Sequence, residues 1–501
     1  MIQKEIGELP KGWNQSQLKE LFDFVIGGDW GKLPEYDDFE FLEALCIRGS
    51  EFRNWSKDKG KTASLRKIKK ASLTKRKLEG GDLLIEISGG GPEQPVGRTV
   101  LIDNEVLSFN KDLPKVCTNF LRLARPNNKI NSKYLNYYLV NFYNSGEISK
   151  YQSGSNNLRN LKFKEYETIN IPVAPLLEQK RIVEKLDSLL AQVDTIQQRL
   201  NNLPYIIKRF RQSVLAAAVS GKLTEQWRGE NPVTSLKPND YFDKKLGDVE
   251  NKEYYGEPPP SWCWVRFGSI VKLINGDRGK NYPNKSEYVE VGVPFINTGH
   301  IDPNGSLSIS RMNFITKDKF KSLGSGKIQT NDLVYCLRGA TMGKTAIVNN
   351  FEKGAIASSL VIVRPSDSVN YKFAYYFLIS PQAKDLITKF DNGSAQPNLS
   401  AKSLAMYPLC LPSLKEQTEI VRLVEQYFAL ADTLEKNLAN AKQRVDNLTQ
   451  SILAKAFRGE LVPQDPNDEP ADKLLARIKA ARLEAEKLEK AAKKAAKARK
   501  K

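Results

Sequence analysis

Apolar residues recur at alternating steps of four and three along two stretches of the chain. The first runs through Ile182, Leu186, Leu189, Val193, Ile196, Leu200, Leu203, Ile207, Phe210 and Val214. The second runs through Ile420, Val424, Tyr427, Ala431, Leu434, Leu438, Ala441, Val445, Leu448 and Ile452. Sustained over several heptads, this spacing predicts long coiled-coil helices, because it keeps one seam turned toward a partner. Gly221 and Gly459 stand where each helix is expected to stop. Pro204 lacks a backbone N–H and is expected to kink or restart the first helix. The small Ala431 and Ala441 leave room for bulky residues of a facing seam, so the two stalks are expected to pair with each other, antiparallel. The alternative is that each helix packs only on its own domain.

Before each stalk the pattern changes to short β-branched and apolar runs bounded by turn residues. Asp82 to Ile87, Thr99 to Asp103, Asp332 to Leu337 and Ala357 to Val363 read as strands, whereas Lys133 to Tyr143 and Lys372 to Ile379 read as helices. Each head is therefore mixed α and β. The stalks are copies: Glu178-Gln179, Asp194-Thr195, Leu200 and Gln212-Ser213 return as Glu416-Gln417, Asp432-Thr433, Leu438 and Gln450-Ser451, always 238 residues on. The repeat extends weakly into the heads. Pro10-Lys11-Gly12-Trp13 matches Pro260-Ser261-Trp262, Tyr137-Tyr138-Leu139 matches Tyr375-Tyr376-Phe377, and Ser153-Gly154-Ser155 matches Asn392-Gly393-Ser394.

The expected fold class is α+β: two mixed α/β domains separated by two long helices that pair as an antiparallel coiled coil, a pseudo-twofold internal repeat. The expected boundaries are a first head at 1–173, a first spacer helix at 174–221, a linker at 222–260, a second head at 261–411, a second spacer helix at 412–460 and a tail at 461–501. The linker holds Pro232, Pro238 and Pro258-Pro259-Pro260. The tail carries twelve Lys/Arg against four Asp/Glu from 471 onward. It reads as a solvated, partly helical charge run, or as a helix for a partner subunit or a non-specific DNA contact.

Charge sharpens the picture. A net charge of +19 over 501 residues points to nucleic acid first and to anionic membrane second. No apolar run approaches the roughly 20 residues that span a bilayer, and Met1 to Glu5 carries no signal-peptide core. Cys46, Cys117, Cys263, Cys336 and Cys410 are scattered and odd in number, and His300 is the sole histidine. Neither a disulfide framework nor a zinc or histidine-triad site is indicated, so a reduced cytoplasmic protein is expected.

Residues 48–77 hold twelve basic residues and two acidic ones, a density suited to phosphate neutralisation unless it is only a solvated face. Arg53, Trp55, Lys57, Lys59, Lys61, Arg66 and Lys69 are the DNA-binding candidates there, joined by Arg98 and by Asn156 and Asn157 on later loops. In the second head the candidates are Arg278, Lys280, Asn281, Tyr282, Arg338, Lys344, Gln396 and Asn398. Glycines among them let backbone approach DNA while Arg, Asn and Gln read base edges. Gly339 to Thr345 imitates a phosphate-binding loop, but its first required glycine is Arg338, and it reads as a hairpin turn. Asp82 and Glu86 imitate a metal-nuclease pair without the following lysine. No catalytic or metal site is expected.

These residues together resemble the specificity subunits of type I restriction-modification systems. The resemblance rests on Leu9 to Trp13, Gly81 to Leu84, Pro175 to Gln179 with Pro412 to Gln417, and Leu215 to Leu223 with Leu453 to Leu461. It covers the chain to about residue 463 and leaves the tail aside. It implies a non-catalytic subunit with two target-recognition domains, each reading one half of a bipartite, asymmetric site in double-stranded DNA. It implies helices that dock two modification (methyltransferase) subunits, which flip and methylate adenine, with restriction/translocase subunits completing the assembly. S-adenosylmethionine, ATP and Mg2+ would belong to those partners, and this chain would carry no cofactor. The rival readings are a coiled-coil DNA-binding adaptor without sequence specificity, and part of a fused methyltransferase or nuclease.

Overall fold

The computed structural model describes residues 8–91, 94–155, 158–232, 235–241, 243–250, 257–390 and 398–498. The chain divides into two compact units, Met1–Leu200 with Ala441–Lys501, and Asn201–Asn440. Each holds one head and half of each stalk.

In the first unit, strand Asn14–Gln17 pairs antiparallel with Asn170–Val173, so the head's first and last strands close on each other. Its main sheet is antiparallel, in the order Phe22–Gly27, Leu121–Pro126, Leu83–Glu86, Thr99–Leu101. The period of two along Leu83–Glu86 separates two cores. Leu83 and Ile85 join Tyr134, Leu135, Tyr138 and Leu139 of helix Ser132–Asn144, whereas Leu84 joins Leu123, Val100 and Ile102 on the other face. A second sheet sets Phe41–Ile47 antiparallel to Ser64–Lys69 and parallel to Lys115–Cys117. A third brings Ser88–Gly89 beside the hairpin of Gln152–Ser155 and Leu158–Leu161.

The second unit repeats this plan. Cys263–Arg266 pairs with Pro408–Leu411, and the main sheet runs Val271–Asn275, Leu360–Pro365, Leu333–Cys336, Thr345–Ile347. Leu333 and Tyr335 face the core around helix Tyr371–Ile379, while Val334 and Cys336 face the other. Val293–Ile296 pairs antiparallel with Asn313–Ile315 and parallel with Ala355–Ile356. The strands and helices expected from the sequence are thus present, with ends shifted by a few residues. The repeat needs one correction. The head helices correspond at a spacing of 239, not 238, because Asn131 caps one and Asn370 the other. That spacing places Phe377, not Tyr376, opposite Tyr138.

The stalks are the helices Leu176–Val219 and Leu414–Phe457. Gln197 Nε2 donates to Asp446 Oδ1 at 3.3 Å. Fourteen residues forward on the first helix and fourteen back on the second, Arg211 Nη2 donates to Asp432 Oδ1 at 2.6 Å. Constant opposite steps of this kind are the signature of an antiparallel pair. The seam has two duties. Ile182, Leu186, Ile420 and Val424 are fully buried against the heads, while Val193 packs in one cluster with Val445 and Ile452. Leu189 and Leu200 are partly buried, Ala431 and Leu438 are buried, and Tyr427 meets Phe210 edge-on at 6.1 Å. Ile196 and Leu434 are exposed at corresponding positions.

Pro204 does not interrupt its stalk: the helix runs unbroken through it. Its missing N–H removes a single helical hydrogen bond, while Val193 and Ile207 keep the helix packed on either side. Nor is the linker a bare tether, because Thr224 is fully buried and Leu223, Leu236 and Tyr241 pack on the second head's core. Phe457, at the end of the second stalk, lies edge-on to Tyr134 and Tyr138 at 5.2 and 5.1 Å. Truncating such a buried ring costs about 3–5 kcal/mol. The tail forms helix Ala471–Ala498, whose Ala471, Leu474 and Ile478 are buried in the same core. Among the described residues no helix is long and apolar enough to cross a membrane.

Candidate nucleic-acid interface

Both heads begin a turn with a close-packed glycine and an aspartate, directly after the first strand of the main sheet. In the first head Gly28 passes so close to the strand behind it that a Cβ would lie 2.1 Å from the Thr118 carbonyl oxygen. Asp29 Oδ1 accepts from the Gly31 backbone N–H at 2.9 Å, and Gly31 has φ +63°. In the second head a Cβ on Gly276 would lie 2.6 Å from the Ala357 carbonyl oxygen. Asp277 Oδ1 accepts from Gly279 N–H at 2.8 Å and Oδ2 from Gly324 N–H at 2.7 Å. Those backbone donors hold the Asp277 carboxyl below its ordinary range. Gly28-Asp29-Trp30-Gly31-Lys32 and Gly276-Asp277-Arg278-Gly279-Lys280 are therefore one motif at a spacing of 248. Sequence reasoning missed Trp30, since the stalk spacing of 238 hides the match, although the residues spell it out. The close-packed glycine and the aspartate-to-glycine hydrogen bond recur, whereas Gly31 has positive φ and Gly279 does not, and the side chain between them differs: Trp30 in one head, Arg278 in the other.

Around Trp30 the first head opens a cavity of about 390 Å³ lined by Arg48, Arg53, Gln94, Arg98 and Phe120 among others. The Arg66 guanidinium lies 4.2 Å from the indole ring centre and donates through Nε to the Trp30 carbonyl at 3.0 Å. Arg98 forks onto the buried Glu86 at 2.9 and 2.6 Å and also donates to the Gly49 carbonyl at 2.9 Å. Arg66 is thus held against Trp30 and Arg98 against Glu86 in the cavity wall, whereas Arg53 lines the cavity as an exposed cation.

The basic cluster is less bare than its local count implied. Lys59 pairs with Asp103 at 2.7 Å, Lys61 approaches Glu105 at 3.8 Å and Lys69 reaches Glu40 at 3.1 Å. Their partners are remote in sequence, so a window of 48–77 could not contain them. Trp55 is half-buried, packed edge-on to Phe52 at 5.8 Å. Lys57 is exposed without an ion pair among the described residues.

In the second head Arg278 and Lys280 are exposed. Asn281 instead donates to the Ser322 carbonyl at 2.8 Å, and Tyr282 packs edge-on to Phe295 at 5.7 Å. Arg338 and Asn398 come together in an antiparallel bridge, fixed by Leu399 N–H donating to Leu337 at 2.9 Å. The first head makes the equivalent bond from Leu161 to Ile87 at 2.9 Å. Lys344 is exposed on a cleft of about 770 Å³ that also receives Lys208, Arg211 and Lys384. Asn156, Asn157 and Gln396 lie outside the described residues.

The imitation motifs resolve as structure. Gly343 and Gly97 have φ +85° and +112° and press against Ile387 and Ile148 in matching hairpins. Asp82 forks onto Arg125 at 2.7 and 2.9 Å, as Asp332 does onto Arg364 at 2.8 and 2.7 Å. Burial pushes the Cys263 thiol up to about 11 and the Cys117 thiol to about 12, leaving both protonated at neutral pH.

Comparison with known proteins agrees with this repeated construction. The family model of the type I restriction modification DNA specificity domain matches residues 10–205 and again 259–442. The type I restriction enzyme EcoKI specificity subunit of Escherichia coli strain K12 is 32% identical over 499 residues, covering 95% of this chain and 97% of the relative. The StySPI specificity subunit of Salmonella potsdam is 30% identical, covering 95% and 96%. In fold, the chain is similar to the crystal structure of the HsdS subunit from Thermoanaerobacter tengcongensis, with TM-score 0.57 at 20% identity over 91% of this chain and 98% of that one.

Proposed function

This chain belongs to the type I restriction-modification specificity subunits, and from that premise we propose that each head reads one half of a two-part, asymmetric site in duplex DNA. The observation that carries the proposal is the repeated glycine–aspartate turn. It repeats the close-packed glycine and the aspartate-to-glycine hydrogen bond, and presents Trp30 from one copy and Arg278 from the other. An arginine at the edge of a head suits guanine O6 and N7, while an indole suits stacking or contact with a thymine methyl group. Arg53, Arg338 and the bridged Asn398 are further candidates for base edges, and Lys57, Lys280 and Lys344 for phosphate.

The subunit itself is not catalytic. In this reading it docks two modification subunits, which methylate adenine at N6, and through them the restriction/translocase subunits. S-adenosylmethionine, ATP and Mg2+ belong to those partners. The exposed Ile196 and Leu434, matched across the duplicated stalks, supply equivalent apolar contacts for two copies of one partner. The test is to select bound and methylated sequences from random duplexes with the assembled complex. Two short, dissimilar conserved blocks at a fixed spacing support the reading. Binding without sequence preference would return the chain to the class of non-specific adaptors.

A further inference from the structure

The tail helix Ala471–Ala498 contains more chain than its packing uses. Its opening turns belong to the first head. Ala471, Leu474 and Ile478 are buried, Ala471 N–H donates to the Gly12 carbonyl at 2.8 Å, and Arg482 Nη1 donates to the Lys19 carbonyl at 2.9 Å. In the second head the corresponding stretch of linker covers the equivalent edge. Leu236 stands 238 residues before Leu474 and likewise packs on the core, and the Asp248 carbonyl accepts from Arg266 Nη2 at 2.7 Å. The linker then continues into strand Cys263–Arg266. The tail instead continues as helix for sixteen residues past Arg482, about 24 Å at 1.5 Å per residue.

Past Arg482, only Leu483 still borders the first head, in a pocket shared with Gln15, Ser16 and Glu20, among the residues whose side chains are described. Leu483, Glu484, Lys487, Leu488 and Ala491 are all exposed. From Lys487 to Lys501 the sequence carries eight Lys/Arg and a single acidic residue, Glu489. Leu483 and Leu488 are the only large apolar residues after Arg482. Leu488 continues the heptad spacing of Leu474, Ile478, Ala481 and Ala485, but past Arg482 the rest of that register is alanine (Ala485, Ala492, Ala495), a narrow stripe with little apolar area for a partner helix or a bilayer. An anchored helix with dense positive charge and only a narrow, alanine-rich stripe suits a polyanion.

We propose that the tail helix beyond Arg482 is a second DNA contact, gripping the phosphate backbone of duplex DNA flanking the half-site without reading its sequence. It rests on the reading that the first head holds duplex DNA, and it adds a term that the heads do not supply. Each phosphate neutralised steepens the fall of log affinity with log salt by about 0.9.

The test uses the complex with its modification subunits in three forms: the parent, a chain ending at Glu486, and a full-length chain with Lys487, Lys490, Lys493, Lys494 and Lys497 each changed to Gln. Both variants keep the anchoring turns. Affinity is measured across a salt series on a duplex trimmed to the selected site and on one with long flanks. On the long duplex, both variants are expected to show a slope flatter than the parent by about two units or more. On the trimmed duplex the three forms should be alike, and the methylated sequence should be unchanged. Equal slopes on the long duplex would overturn the proposal, and so would a changed methylated sequence, which would make the helix part of the reading machinery. A parent complex that selects no two-part site overturns the reading of the heads instead, and the slope comparison still decides the tail.

Discussion

Gln179 Oε1 accepts a hydrogen bond from the backbone N–H of Asn131 at 3.0 Å, joining the start of a stalk to the cap of its head's helix. Gln179 Nε2 donates to the Ala174 carbonyl at 2.8 Å, so the buried amide is used at both ends. Gln417 repeats the arrangement with Asn370 N–H at 2.7 Å and the Pro412 carbonyl at 2.9 Å. The duplicated Glu-Gln pair is therefore a joint, and its glutamine ties the start of each stalk to the cap of its head's helix.

The joint predicts a large effect from a small change. Gln417→Ala leaves the part-buried Asn370 N–H without its acceptor, which costs up to about 1–3 kcal/mol before the lost donor bonds are counted. Chemical denaturation of the full chain should show a loss of about 3 kcal/mol in the transition of the second head. Thr418→Ala, on an exposed face one residue away, is expected to lie within about 0.5 kcal/mol of the parent. Equal stability of Gln417→Ala and the parent would mean that the joint does not hold the stalk.

The repeated turn predicts separable defects. Arg278→Ala is expected to cost about 1–3 kcal/mol of binding and to relax preference at one or two positions of one half-site only. Trp30→Ala should relax positions in the other half. Site selection from random DNA reads both outcomes. Uniform weakening across all sequences would make Arg278 a phosphate contact.

His300, the sole histidine, gives a clean pH probe. It is buried, its Nδ1 accepts from Asn297 N–H at 3.1 Å, and it lies near Arg311, which is paired to Asp302. Burial, then the Arg311 charge, lowers its pKa below 6.5. The unfolded chain therefore binds the proton more readily, so stability is retained above pH 6.5 and falls as pH drops from 6.5 through the folded value. The single imidazole NMR signal should titrate below 6.5, and His300→Gln should flatten the acid limb of stability. A midpoint at or above 6.5 would contradict this packing.

The stalks were legible because a heptad repeat is local, and the head strands because apolar runs between turns are local as well. Three features were not. The continuous helix through Pro204 depends on packing of the flanking turns, which propensity does not report. Lys59, Lys61 and Lys69 looked like free cations because Asp103, Glu105 and Glu40 lie outside the basic stretch. Trp30 was overlooked because it is aromatic among acidic neighbours, and its equivalence to Arg278 appears only when the heads are aligned at 248. Arg66 differs from those lysines in burial. A basic residue in a basic stretch is buried, with its guanidinium 4.2 Å from the Trp30 ring centre.

The most direct test of the account is to exchange residues 14–173, bounded by the paired strands Asn14–Gln17 and Asn170–Val173, for the corresponding head of a family relative. The genome-wide pattern of methylated adenine is then mapped in cells carrying the hybrid with its partner subunits. If each head reads its own half-site, one half of the recognised sequence changes to the relative's and the other half stays as in the parent. A hybrid that alters both halves, or that methylates the parental sequence unchanged, would contradict the claim that recognition resides in two independent heads.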